Sequence, residues 1–232
     1  MTEIRRLGVL GGTFDPIHYG HLDAGAAAQR ALGLDEVLVV PSHDPPHRPL
    51  DPHANAFQRF AMVALGIDGR PGWRAADLEL VREGPSYTAD TLRTLAGGGW
   101  GRSQIFFILG ADAFAEIATW REFPGVLDLA NFAVIARPGT TLDAALAGTP
   151  ELRPRVRTGA DPATGSRETA VYPVAARTRD VSSTAIRSRL GTGLPIDDLV
   201  PPAVARHILA HHLYLPVGEL HGKNPSPPSR AR

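Results

Sequence analysis

The stretch from Gly8 to Leu22, Gly-Val-Leu-Gly-Gly-Thr-Phe-Asp-Pro-Ile-His-Tyr-Gly-His-Leu, constrains the fold more than any other part of the chain. Leu7 to Leu10 make the short apolar run of a buried strand. Gly11 and Gly12 carry no Cβ, which predicts a sharp backbone turn with room for a ligand to approach closely. Pro16 cannot continue a strand and suits the approach to a helix. Tyr19 to Leu32 is Ala-rich, with Leu22, Ala26, Gln29 and Leu32 at helical spacing. The expectation is strand, glycine-rich loop, helix. His18 and His21, three apart in the first helical turn, share a face. The opening amides of a helix lack intrahelical partners and carry partial positive charge. Amides, two imidazoles and open access together suit a polyphosphate. This is neither a Gly-x-Gly-x-x-Gly fingerprint nor a Walker loop, since no Gly-Lys-Ser/Thr follows.

At 232 residues the chain can bury a sizeable core. Basic and acidic residues balance at 24 each, so no global field favours nucleic acid or an anionic membrane. There is no cysteine, which excludes disulfides and thiolate metal sites. The opening Met-Thr-Glu-Ile-Arg-Arg lacks the apolar core of a signal peptide, and no apolar run approaches the roughly 20 residues of a membrane span. A soluble cytoplasmic protein is expected, binding neither nucleic acid nor membrane; the oligomeric state is left open.

Further strands are expected at about 36–40, 104–109, 132–137 and 170–174, alternating with helices. That alternation means an α/β fold, a Rossmann-like parallel sheet with helices on both faces. Residues 1–218 are read as one domain, with 140–169 as a surface excursion, a short helix at Leu142 to Leu146 followed by solvated loop, and 219–232 as a disordered Pro/Ser-rich tail. Ala54 to Ile67 reads as a helix with Phe57 and Phe60 on its apolar side; Arg59 there is a structural tether or a ligand contact. Ser86 or Thr88 can cap a helix running to about Leu95, with Asp90 in its first turn. Gly110 and Asp112 follow a strand, where α/β sheets bind nucleotides; Asp112 accepts from a ribose hydroxyl or caps the helix. Arg137, at the end of another strand, contacts a phosphate or pairs with a carboxylate. Ser182 and Ser183 are natural caps, and with Arg187 one turn in they make a second anion site. His207, His211 and His212 have no acidic or thiolate company and are read as surface or core histidines rather than metal ligands.

Gly11-Gly12-Thr13-Phe14-Asp15-Pro16 with His18-x-Gly20-His21 resembles the HxGH nucleotidyltransferase superfamily, and the whole block resembles bacterial nicotinate-nucleotide adenylyltransferases. Val181-Ser182-Ser183-Thr184-Ala185-Ile186-Arg187 matches the second superfamily signature, with Val in place of Ile, about 160 residues after His18. Pro85-Ser86-Tyr87-Thr88-Ala89-Asp90-Thr91-Leu92, Gly110-Ala111-Asp112 and Pro45-Pro46-His47-Arg48 also resemble family segments, Arg48 standing where a Lys is usual. The resemblance implies adenylyl transfer from ATP to nicotinate mononucleotide, giving deamido-NAD and pyrophosphate, with Mg²⁺ accompanying the ATP. It implies that Gly11, Gly12, Thr13, Phe14, His18, His21, Ser182, Ser183 and Arg187 hold the triphosphate, His18, His21 and Arg187 being catalytic. Gly110 and Asp112 would meet the nucleotide. His47, Arg48, Thr88, Ala89, Trp120 and Arg137 would bind nicotinate mononucleotide, with Trp120 stacking on the pyridine ring. Arg121 stands where the family often has Tyr. No metal site built from protein ligands is expected.

Two other readings compete. A phosphopantetheine adenylyltransferase or cytidylyltransferase shares the superfamily motifs, but the former typically has Thr at the place of His18, and neither usually carries the Pro-Ser-Tyr-Thr and Pro-Pro-His segments. A nucleotide-binding regulator without catalysis would bind ATP and release no pyrophosphate.

Overall fold

The structure is a computed structural model and describes residues 5–45, 52–136, 141–157 and 168–215. Thirteen main elements appear among them in chain order: β1 (Leu7–Gly12), α1 (Tyr19–Leu32), β2 (Glu36–Pro41), α2 (Ala56–Ile67), β3 (Trp73–Ala75), α3 (Thr88–Gly97), β4 (Ile105–Gly110), α4 (Ala111–Ala115), β5 (Asn131–Ala136), α5 (Leu142–Ala145), β6 (Val171–Ala175), α6 (Ser183–Gly191) and α7 (Pro202–Ala210). The six strands form one sheet in the order β3-β2-β1-β4-β5-β6, and each pair is parallel. The α/β expectation holds.

Parallel strands need crossovers, and the helices that supply them cover both faces. One face carries a core built from Leu10, Leu22, Ala28, Met62, Val63, Ile186, Val204 and Ile208, so α1, α2, α6 and α7 lie there. The other carries Val9, Leu92, Leu95, Phe107, Phe114, Val126, Phe132 and Leu152, contributed in part by α3 and α4. The strand order reverses at β1, which lies between β2 and β4. A crevice opens at the carboxyl ends of strands at such a reversal. Gly11 and Gly12 end β1 and Gly110 ends β4, so the glycine-rich segment and the Gly-Ala-Asp segment face one mouth.

Several expectations are corrected. Phe57 is 86% exposed rather than on the buried side of α2. That side is Arg59, Met62, Val63, Gly66 and Ile67, a stripe in which a buried arginine takes an apolar position. The excursion is not all solvated loop. The short helix expected at Leu142 to Leu146 is present as Leu142–Ala145; beyond it, Pro150–Arg155 forms a 3₁₀ turn, Leu152 is buried in the second core, and the Arg157 amide donates to the Val171 carbonyl. Residues 158–167 and the tail from 216 onward lie outside the described residues.

Candidate active site

Gly11 and Gly12 do not make the turn. Both are extended residues of β1, and the turn falls on Phe14, buried with φ of 51°. The glycines instead make room for aromatic rings. A Cβ on Gly12 would lie 3.1 Å from the Phe14 ring, and one on Gly11 would lie 3.2 Å from the Phe107 ring. Phe14 in turn stands edge-on to His21 at 5.0 Å between ring centroids.

His18 caps α1 in extended conformation and is buried. Its ring stacks on His21 at 3.7 Å, with 21° between the planes. The His18 amide donates to His21 Nδ1 at 3.3 Å. With Nδ1 accepting, the hydrogen of a neutral His21 ring sits on Nε2, a donor suited to a phosphate oxygen. Gly20, between the two histidines, is required by the packing: a Cβ there would come 3.1 Å from His18 Nδ1 and 3.2 Å from Val181 Cγ1. One expected donor is already engaged. The Tyr19 amide, first in α1, donates to the Leu199 carbonyl at 3.0 Å.

The second helix start docks on the first. Ser182 caps α6, its Oγ accepting from the Ala185 amide at 3.1 Å. The Ser183 hydroxyl donates to the Pro16 carbonyl at 3.0 Å. Arg187 donates from Nη1 to the Asp15 carbonyl at 2.8 Å, with the Asp15 carboxylate 3.8 Å away, and from Nη2 to Thr184 Oγ1 at 3.3 Å. Just upstream, Arg179 holds Asp23 of α1 through its amide, Nε and Nη2, and its guanidinium lies 3.6 Å over the Tyr19 ring. Residues about 165 apart in sequence therefore share one rim.

Asp15, Arg59 and Tyr214 form a web that motif reading assigned no such role. The buried Asp15 carboxylate accepts from the His53 and Ala54 amides at 2.9 and 3.0 Å and from the Tyr214 hydroxyl at 2.8 Å. Arg59 is 1% exposed and donates to the carbonyls of Ala54, Thr13, Ser42 and His43. The tether alternative for Arg59 is the observed one. Burial draws its guanidinium below the ordinary value, against the pull of Asp15 and Tyr214. Burial beside Asp15 pushes the Tyr214 phenol up, since both disfavour a phenolate. A charged residue at a helical apolar position was the available signal for Arg59.

At the other side of the mouth, the Ser86 and Thr88 hydroxyls do not cap α3; Tyr87 occupies the cap position. Ser86 Oγ accepts from the His43 amide at 2.8 Å and its own amide donates to the Asp44 carbonyl, tying the loop after β2 to the start of α3. Thr88 and Ala89 are the first two residues of α3, where amides have no carbonyl inside the helix to bind. Asp112 lies exposed in the first turn of α4, capped by Gly110. Trp120 is half-buried, edge-on to Phe107 at 5.9 Å. Thus Gly11 admits Phe107, and Phe107 backs Trp120. His47, Arg48 and Arg137 lie outside the described residues.

The model of the cytidylyltransferase-like family matches residues 9–189, a span holding both helix starts. The probable nicotinate-nucleotide adenylyltransferase of Symbiobacterium thermophilum is 40% identical over 219 residues, covering 94% of this chain and 98% of that protein. That of Shewanella baltica is 37% identical over 218 residues, 91% of this chain and 100% of that one. The chain belongs to the nicotinate-nucleotide adenylyltransferase family. The fold of the family extends to distant members: the Plasmodium falciparum nicotinic acid mononucleotide adenylyltransferase, solved with NaAD, superposes with a TM-score of 0.67 at 20% identity over 90% of this chain and 97% of that one. In this family member no helix among the described residues is long and apolar enough to cross a membrane.

Proposed function

We propose that this enzyme transfers the adenylyl group of ATP to nicotinate mononucleotide, giving deamido-NAD and pyrophosphate in NAD biosynthesis. The observation that carries the reading is the docking of Arg187 and Ser183 on Asp15 and Pro16, immediately ahead of the stacked His18 and His21. Two anion-suited helix starts share one mouth at the strand-order reversal.

The chemistry asks for position and charge dispersal rather than a nucleophile from the enzyme. A phosphate oxygen of the mononucleotide attacks the α-phosphorus of ATP; that P–O bond forms as the bond to the β-phosphate bridge breaks, and pyrophosphate leaves with the electron pair. The attacking phosphate is already ionised near neutrality, so no proton is removed. His18, His21 and Arg187 would disperse the charge on the α-phosphate and the leaving group. Ser182, Ser183, the backbone of Gly11 to Thr13 and Phe14 would line the triphosphate, with Gly110 and Asp112 at the adenylyl ribose. Thr88, Ala89 and Trp120 would hold the nicotinate end, a helix-start amide facing its carboxylate and an indole facing its ring; His47, Arg48 and Arg137 complete the acceptor's contacts in this assignment. Mg²⁺ would arrive on the ATP phosphates. Among the described residues no three His, Asp or Glu side chains are grouped for a metal, and the roles given to the chain involve none.

Pyrophosphate release is measured with ATP and, in parallel, nicotinate mononucleotide, nicotinamide mononucleotide and phosphopantetheine. Turnover with the pyridine mononucleotides, fastest with the acid, is expected. Turnover with phosphopantetheine alone, or ATP binding without release, overturns the reading.

A further inference from the structure

Four charged side chains at the acceptor side of the mouth take no part in the roles above. Arg93, on α3, meets Glu122 with both ends of its guanidinium: Nη1 donates to Oε1 at 3.0 Å and Nη2 to Oε2. Arg93 Nη1 also lies 3.5 Å from Asp90 Oδ1. Arg121 approaches Asp90 Oδ2 at 3.8 Å and Glu122 Oε1 at 3.9 Å, and its guanidinium lies 4.5 Å over the ring of Tyr87, the cap of α3. Arg93 and Asp90 stand in the first two turns of α3, directly behind Thr88 and Ala89. Arg121 and Glu122 directly follow Trp120. Glu122 has φ of 66°, a conformation that L side chains rarely adopt, in the turn that bends the chain back after Trp120.

We propose that the Arg93–Glu122 ion pair, with Arg121 seated on Tyr87, is a positioning clamp that sets the gap between the Trp120 indole and the start of α3, and thereby tunes affinity for the pyridine end of the acceptor. The inference rests on the acceptor assignment above for its effect on binding, though not for the clamp itself. Trp120 is backed by Phe107 of β4, whereas Thr88 and Ala89 ride on α3, which enters the sheet region from β3. The two walls thus belong to different crossovers, 29 residues apart at the Arg93–Glu122 contact. A bidentate guanidinium–carboxylate contact fixes both distance and orientation, which a single contact would not. The pairing holds the Glu122 carboxyl below its ordinary range, so the contact is ionised throughout neutral pH. The contacts of these four side chains are with one another and with Tyr87, the cap of α3, so they act as positioning residues.

The test uses the full-length enzyme and the variants Glu122→Gln and Arg93→Ala, with the exchange Arg93→Glu/Glu122→Arg. The pair is exposed, so these variants keep the fold. KM for nicotinate mononucleotide is expected to rise about three- to fivefold in each single variant, in keeping with one exposed pair. KM for ATP and kcat should stay within twofold, and the exchange should recover most of the loss. A merely structural role would move both KM values together. Fluorine NMR of 5-fluorotryptophan-labelled protein reads the clamp without substrate: the chain has 3 tryptophans, and Glu122→Gln should shift the Trp120 resonance while leaving Trp73 and Trp100 unchanged. An unchanged Trp120 resonance, an unchanged KM for the acceptor, or no recovery on exchange overturns the clamp. If the wild type uses no pyridine mononucleotide, the acceptor assignment fails, and the Trp120 resonance alone decides the clamp.

Discussion

Arg59 sits where a helix facing the core would ordinarily present an aliphatic side chain. Its fork is spent on four carbonyls, drawn from Thr13, Ser42, His43 and Ala54. Those carbonyls belong to the loops after β1 and β2, which irregular backbone would otherwise leave without donors. Replacing Arg59 by Met should cost about 3 kcal/mol of unfolding free energy, since the carbonyls stay buried while the donors vanish; chemical denaturation measures it. Lys should restore little, having no planar fork. Gly20 makes a sharper distinction between stability and function. A methyl group there presses on His18 Nδ1 at 3.1 Å, so Gly20→Ala should lower kcat at least about tenfold by turning the imidazole, consistent with misplacement of a catalytic group. The melting temperature should drop by only a few degrees. Equal kcat in Gly20→Ala would mean that the His18 ring position is irrelevant to turnover.

Among elements, the strand–turn–helix around Gly8 to Leu22 was legible because its determinants are local: an apolar run, Pro16, and helical spacing from Tyr19 to Leu32. The boundaries of α1 fall where the periodicity puts them. What local reading could not supply is why the glycines are there. Their Cβ vacancies are filled by Phe14 and Phe107, and Phe107 is nearly a hundred residues distant in sequence. The same limit hid the Asp15 web. Asp15 binds the amides of His53 and Ala54 and the hydroxyl of Tyr214, contacts of 38, 39 and 199 residues separation that no periodicity encodes. Conversely, the Ser-rich start of α6 was readable by its caps, and its partner across the rim by family resemblance alone. Through Tyr214 the segment after α7 is latched to the loop of β1, and that latch has a pH signature. The phenol is raised above its ordinary 10.0 by burial and by Asp15, so the folded state holds its proton more tightly than the unfolded chain. Its stabilisation is complete below pH 10.0 and is lost as pH climbs above that value. Tyr214→Phe should therefore lower stability by about 1 kcal/mol at neutrality for the lost hydrogen bond. It should also flatten the alkaline fall in stability relative to wild type, by up to about 1.4 kcal/mol per pH unit. Parallel alkaline limbs in the two proteins would remove the latch.

For the molecule as a whole, strand order decides where chemistry can occur. The reversal at β1 opens the sheet between β1 and β4, and the described residues assigned to ATP stand at a carboxyl strand end, in the loop that follows it, or in the first two turns of a helix. The first core holds α1 and α6 against the same face, which brings Arg187 and Ser183 to Asp15 and Pro16. The second core carries Phe107 and, packed against it, Trp120, the indole proposed for the acceptor. In the proposed assignment, a substrate lying across the mouth meets donors anchored in both halves of the protein. The steady-state rate of pyrophosphate release from ATP and nicotinate mononucleotide by His21→Ala and His21→Asn, each confirmed folded by its melting temperature, tests this most directly. A fall in kcat of about a hundredfold or more is expected in both, comparable to losing one charge-stabilising donor at a transition state; turnover close to wild type in either variant would contradict the account.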